Sequence, residues 1–226
     1  MTAAGIVLAA GALGAGALTI VFDAAGKRRL VYVFKPLALL LLIALAALAA
    51  PSGALAPGAP AFRASPAPPS YKTFILLGLG LSLIGDVFMM LRRKRFEAGL
   101  AAFLGAHIFY ILAFRSDMLP RFAVQPLFPL VLVAALILRT LLPRLGKMKY
   151  PVLLYMLVIT VMAGLAAGRY IQWGGPKTLA AFAGALLFMA SDAVLAFDRF
   201  VRPVRRAQVL ILGTYFVAQT LIALSA

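Results

Sequence analysis

Long apolar runs separated by short basic links organise this chain. Runs of about 20 apolar residues, the length a helix needs to cross a bilayer core, fall at 3–22, 30–50, 71–91, 96–114, 122–142, 151–170, 177–197 and 207–225. Most links between them are short, so little chain remains for a separate soluble domain. The one longer link, 51–70, is rich in Pro, Ala and Gly and reads as a flexible connector. The pattern predicts an all-α membrane protein in which residues 1–226 form a single domain of eight transmembrane helices. The first run is expected to be a retained helix: a signal peptide has a basic segment ahead of its apolar core, and the first basic residue here is Lys27.

Composition agrees with the pattern. The chain is 64% hydrophobic and 12% charged, whereas soluble domains carry about 25% charged residues. A net charge of +16 would suit a nucleic-acid binder if it were spread over one soluble face, but its distribution points elsewhere. The links after helices 1, 3, 5 and 7 hold Lys27, Arg28 and Arg29; Arg92, Arg93, Lys94 and Arg95; Arg139, Arg144, Lys147 and Lys149; Arg199, Arg202, Arg205 and Arg206. The alternate links hold only Arg63, Lys72, Arg115, Arg121, Arg169 and Lys177. This is the positive-inside pattern, which predicts cytoplasmic odd-numbered links and both termini outside. No nucleic-acid partner is expected. The absence of cysteine excludes disulfides and thiolate chemistry, and a lone histidine, His107, argues against a zinc site of three protein ligands. Neither metal nor cofactor is expected.

The polar residues inside the apolar runs are the candidates for chemistry. Of six acidic residues, only Asp86 and Asp192 sit well inside predicted spans. Intramembrane ionisable groups are costly and mark functional sites. At about 1.5 Å rise per residue, Lys35, Asp86, Tyr155 and Asp192 all lie roughly 8 Å from the cytoplasmic face, with His107, Tyr215 and Gln219 deeper. A shared polar cavity opening towards the inner leaflet accounts for this grouping. Phe96, Gly99, Phe103, His107 and Tyr110 form one helical face, so His107 and Tyr110 either line that interior or bond helices together. Lys35 either snorkels to the interface or pairs with one of the two aspartates. In the second case the paired carboxylate is held ionised while the other, desolvated, favours its neutral form. That division suits acid–base catalysis. Asp23 is expected to cap helix 1, Glu97 to sit in a solvated first turn, and Asp117 and Asp198 to fall in links.

A repeat is also suggested. Gly78 to Gly85-Asp86 lies over Gly184 to Ser191-Asp192, and Phe103-x-x-x-His107 lies over Tyr215-x-x-x-Gln219. Helices 2, 3 and 4 would then correspond to 6, 7 and 8, giving a parallel 4+4 duplication with halves 1–114 and 122–226 related by an axis along the membrane normal.

Lys35-Pro36, Gly85-Asp86, the Phe96/Gly99/Phe103/His107/Tyr110 face, Ser191-Asp192 and Tyr215-x-x-x-Gln219 occur in an order that resembles the YhhN family, which includes eukaryotic lysoplasmalogenases. The resemblance covers helices 2 to 8. It implies an eight-helix enzyme of the bacterial inner membrane that hydrolyses the vinyl ether of a lysophospholipid partner drawn from the bilayer. The products would be a fatty aldehyde and a glycerophospho-ethanolamine or -choline. Asp86 and Asp192 would be the catalytic pair. Lys35, His107, Tyr110, Tyr155, Ser191, Tyr215 and Gln219 would support them or bind substrate. A proton-coupled transporter is the alternative, because intramembrane Asp, Lys and His also mark ion pathways. Mostly unbroken helices and a site away from the midplane weigh against it.

Overall fold

The computed structural model describes residues 2–49, 69–91, 95–119 and 126–226. These form α1 (Ala3–Ala24), α2 (Arg28–Leu48), α3 (Pro69–Met90), α4 (Phe96–Arg115), α5 (Leu127–Leu141), α6 (Lys149–Trp173), α7 (Pro176–Phe200) and α8 (Ala207–Leu224). Two single-turn 3₁₀ helices, Leu142–Arg144 and Gly146–Met148, join α5 to α6. Among the described residues, eight helical stretches are long and apolar enough to cross a membrane. In lipid every backbone N–H and C=O must be satisfied within the segment, and a helix does this locally.

Helix ends are closed by recognisable devices. Thr2 Oγ1 accepts the Gly5 N–H at 3.2 Å to cap α1. Lys72 Nζ donates to the Ala47 and Ala49 carbonyls at the end of α2, at 2.5 and 2.8 Å, where a cation also meets the negative end of the helix dipole. Gly174 and Gly175 make the tight α6–α7 turn with φ of 64° and 86°, a region that side chains avoid. Pro176 then starts α7 where its missing N–H costs nothing.

Helix packing relies on glycine, because bilayer helices associate through close backbone approach rather than a hydrophobic drive. A Cβ at Gly78 would strike the Tyr110 ring, and one at Gly85 would lie 2.9 Å from Phe103, so both residues let α4 press onto α3. A Cβ at Gly184 would lie 2.9 Å from the Ala218 carbonyl, setting the α7–α8 contact. Gly16 does the same for α1 against Phe216 of α8. α6 is the most buried helix and α5 the most peripheral. α2 packs on α3 and α8, and α6 packs on α4 and α7.

The bundle has two distinct ends. The end of α1, the starts of α2 and α8 and the end of α3 line one surface depression, which includes Asp23, Arg28, Tyr32 and Gln208. The basic links 25–27 and 201–206 therefore share an end. The start of α1 and the ends of α2 and α8 meet at the other.

Several expectations are corrected. Arg169 is not in a link: α6 runs on to Trp173, and Arg169 is buried. Asp198 lies in the last turn of α7, accepting the Val204 N–H at 2.8 Å. Asp23 contributes to the end of α1 through its backbone carbonyl, which accepts from Ala25 and Gly26. α5 begins at Leu127 in the described residues; 122–125 of the expected span lie outside them, as do Arg63, Arg92, Arg93, Lys94 and Arg121.

Gly184→Ala should destabilise the protein by about 1–3 kcal/mol, the usual cost of forcing an atom into a close-packed contact. Gly14→Ala, which meets open space, should leave stability unchanged. Thermal unfolding of the two variants in one detergent checks the pair.

Candidate active site

Two carboxyl groups, one on α3 and one on α7, line a single cavity of about 270 Å³. Asp86 is one turn from the end of α3, and Asp192 is two turns from the end of α7. Both helices end at the bundle face that carries the basic links. The cavity reaches that face past Asp198, Arg199 and Gln208.

Asp86 is fully enclosed. Lys35 Nζ of α2 lies 2.8 Å from Oδ1, and the Tyr215 hydroxyl of α8 donates to Oδ2 at 2.8 Å. Lys35 is itself almost completely buried, so it does not snorkel to the interface. A buried carboxylate is tolerated when a cation and hydrogen bonds satisfy its oxygens, and Asp86 has both. Pro36 follows Lys35 inside α2 and has no N–H, which leaves the carbonyl one turn back without its helical donor.

Asp192 is built differently. The Tyr155 hydroxyl of α6 donates to Oδ2 at 2.5 Å. His107 Nε2 of α4 stands 4.0 Å from the same oxygen, beyond hydrogen-bond range. Among the described residues no lysine or arginine pairs with Asp192. Its side chain keeps 14% exposure, against 1% for Asp86, so Asp192 is the more accessible of the two carboxyls. The imidazole of His107 packs edge-on to Phe188 and Tyr155, with centroids 4.6 and 5.2 Å away. Neither ring nitrogen has a hydrogen-bond partner.

The remaining expected residues divide by depth. Ser191 lines the cavity but donates to the Ile211 carbonyl at 3.0 Å, tying α7 to α8. Tyr110 and Gln219 do not line that cavity: the Tyr110 hydroxyl donates to Gln219 Oε1 at 2.8 Å in a layer further into the bundle. Tyr110 thus bonds α4 to α8. Among the described residues no three His, Asp or Glu side chains gather to hold a metal ion.

Sequence reasoning missed two groups. Arg199, counted among topology-setting charges, lines the cavity mouth with its guanidinium 4.8 Å from the centre of the Phe96 ring. Its position at the end of an otherwise apolar run gives no signal that distinguishes it from Arg202 or Arg205. The second group lies at the opposite end. Arg169 makes a bidentate ion pair with Asp117, with Nε to Oδ1 and Nη2 to Oδ2 both at 2.9 Å. The Tyr71 ring lies 4.2 Å from the guanidinium, and the Tyr71 hydroxyl is 2.8 Å from Ser225 Oγ. Every member of that cluster is partnered, which marks it as a tie between α3, α4, α6 and α8.

Removing one member of a buried ion pair leaves an uncompensated charge and costs about 3–5 kcal/mol. Lys35→Met should therefore destabilise the protein by roughly that amount. The double variant Lys35→Met/Asp86→Leu should recover most of the loss. Denaturation of both variants in detergent measures it.

Comparison with known proteins follows the same helices. Residues 30–226 match the YhhN family, so the match begins in α2 and runs to the last residue. The chain is 38% identical over 162 residues to "Lysoplasmalogenase TMEM86A" of Bos taurus, covering 68% of this chain and 65% of that protein. It is 37% identical over 164 residues to "Lysoplasmalogenase TMEM86B" of Homo sapiens, covering 69% and 64%. The match thus spans just under two thirds of the length of these relatives. "Uncharacterized membrane protein YhhN" of Escherichia coli O157:H7 is 34% identical over 195 residues, 86% of each chain. No solved structure matches the chain.

Proposed function

This chain belongs to the YhhN family, and on that footing we propose that it is a lysoplasmalogenase-like hydrolase, cleaving the vinyl ether of a lysophospholipid at the Asp86–Asp192 cavity. One observation carries the reading. Two intramembrane carboxyls line the same cavity, one neutralised by Lys35 at 2.8 Å and the other without a cation among the described residues.

The chemistry follows from that asymmetry. Vinyl ether hydrolysis begins with a proton added to the alkene carbon not bonded to oxygen, which leaves an oxocarbenium ion. A neutral carboxylic acid is the suitable donor. Asp192, desolvated and with no lysine or arginine paired to it among the described residues, holds that proton. Tyr155 donates to Oδ2 and so leaves the acid proton on Oδ1. Asp86, held ionised by Lys35, stabilises the cation across the cavity. Water then adds to the oxocarbenium carbon and gives up a proton to a carboxylate. The hemiacetal collapses to aldehyde as its glycerol oxygen takes a proton back. The net change is the addition of one water. Glycosidases meet an oxocarbenium-like transition state with a similar division between two carboxyls.

Lys35, Tyr215 and Tyr155 are engaged by the carboxyls, so they position rather than bind phosphate. Arg199, at the mouth and backed by Phe96, is the group suited to the lipid phosphate. His107, fully buried and packed edge-on to Tyr155, supports the tyrosine that holds Asp192. Ser191, Tyr110 and Gln219 hold α7 and α4 against α8.

The topology proposed from the charge pattern puts this mouth on the cytoplasmic face, with both termini outside and the protein in the inner membrane of a bacterial cell. It is supported by the shared end of the basic links. The 4+4 duplication is supported by the packing order, in which α2 meets α3 and α8 as α6 meets α7 and α4.

Asp86→Asn and Asp192→Asn should each lower aldehyde release from a lysoplasmalogen by at least about 100-fold, the low end of acid–base contributions, while the protein remains monodisperse. A coupled aldehyde assay on purified protein in detergent checks this. Full activity in either variant would refute the assignment.

A further inference from the structure

Two further recesses adjoin the cavity towards the flank of the bundle. The first, which shares Phe96, Phe103 and Asp192 with it, is a narrow apolar throat of about 40 Å³ between α3, α4, α6 and α7. The throat shares Leu100 and Tyr155 with an outer groove of about 540 Å³ between the first turns of α4 and α6. Leu154 and Tyr150, on the outer groove, are 51% and 78% exposed on the apolar flank of the bundle. The route is polar at its inner end, where Asp192 and the Tyr155 hydroxyl stand, and almost wholly apolar from there outward.

Resting on the hydrolase reading, we propose that this route admits the single hydrocarbon chain of a lysophospholipid laterally from the leaflet, between α4 and α6. Three features select that occupant. The throat is small, about 40 Å³ between side chains of four helices, which suits one unbranched chain at a time. The chain exchanges bilayer for an equally apolar wall, so entry needs no hydrophobic drive. A vinyl ether sits where chain meets head group, and Asp192 stands where the apolar throat meets the polar cavity. A lysophospholipid threaded this way brings its scissile bond to Asp192 and its phosphate towards Arg199. Leu100 and Met156, on opposite walls of the throat, set how much chain can pass.

The test uses the full chain in nanodiscs with a non-hydrolysable probe, a saturated 1-O-alkyl lysophosphatidylethanolamine bearing a diazirine near the end of its chain. Photolysis and peptide mass spectrometry should place adducts within residues 97–104 of α4 and within 148–156, the 3₁₀ turn and start of α6. Leu100→Trp, which fills the throat, should reduce them at least 10-fold. Leu132→Trp, on the outer face of peripheral α5, should not. In parallel, Leu100→Trp should lower kcat/KM for a hexadecenyl lysoplasmalogen at least 10-fold more than for a hexenyl one. Adducts confined to other helices, or labelling indifferent to Leu100→Trp, would overturn the route. Labelling as expected without aldehyde from either substrate would leave the route standing and refute the hydrolase reading. Aldehyde release with adducts elsewhere would do the reverse. If Leu100→Trp does not fold, the map of the unaltered protein still decides.

Discussion

A charge carried into a bilayer has to be met there, and the Lys35–Asp86 pair is where this protein meets it. The ion pair fixes α2 against α3, and Tyr215 closes the second carboxylate oxygen from α8. Because Lys35 is committed to Asp86, Asp192 is left with Tyr155 and a distant His107. The two carboxyls differ because one cation serves one of them. The proposed division into a general acid and a stabilising anion rests on that difference.

The other charged cluster obeys the same rule to another end. Arg169 and Asp117 are joined by both forks of the guanidinium, and Tyr71 lies against the cation. Trp173 and Gln172 add bonds to the Asp117 carbonyl. Those charges face one another and hold four helices together. At the basic end the helices instead leave a cavity, and Asp192 faces into it. The bundle is thus tied at one end and accessible at the other, which suits a site supplied from one leaflet.

The spans were legible because a bilayer demands long apolar helices whatever the local propensities. Asp86 and Asp192 were legible because charges at membrane depth are rare. Helical spacing put His107 and Tyr110 on one face, but spacing does not say which neighbour that face meets. That Tyr110 bonds Gln219 of α8 is visible only in the fold. Whether Lys35 would snorkel or pair was open for the same reason, since both fit its depth. The expected α6 run ends at Tyr170 and the helix continues to Trp173, with Arg169 inside it and paired to Asp117. Arg199 stayed hidden among residues that set topology. Its distinction is a place on the cavity wall, which only the fold creates.

The central claim is that a carboxyl group protonates the alkene carbon of a vinyl ether. Hydrolysis of a lysoplasmalogen by the purified protein in D₂O, followed by mass spectrometry of the aldehyde, tests it most directly. The account predicts one deuterium on the carbon beside the carbonyl, and none in the glycerophospho product once its exchangeable sites are washed back to hydrogen. An aldehyde without that deuterium, or no aldehyde at all, would contradict it.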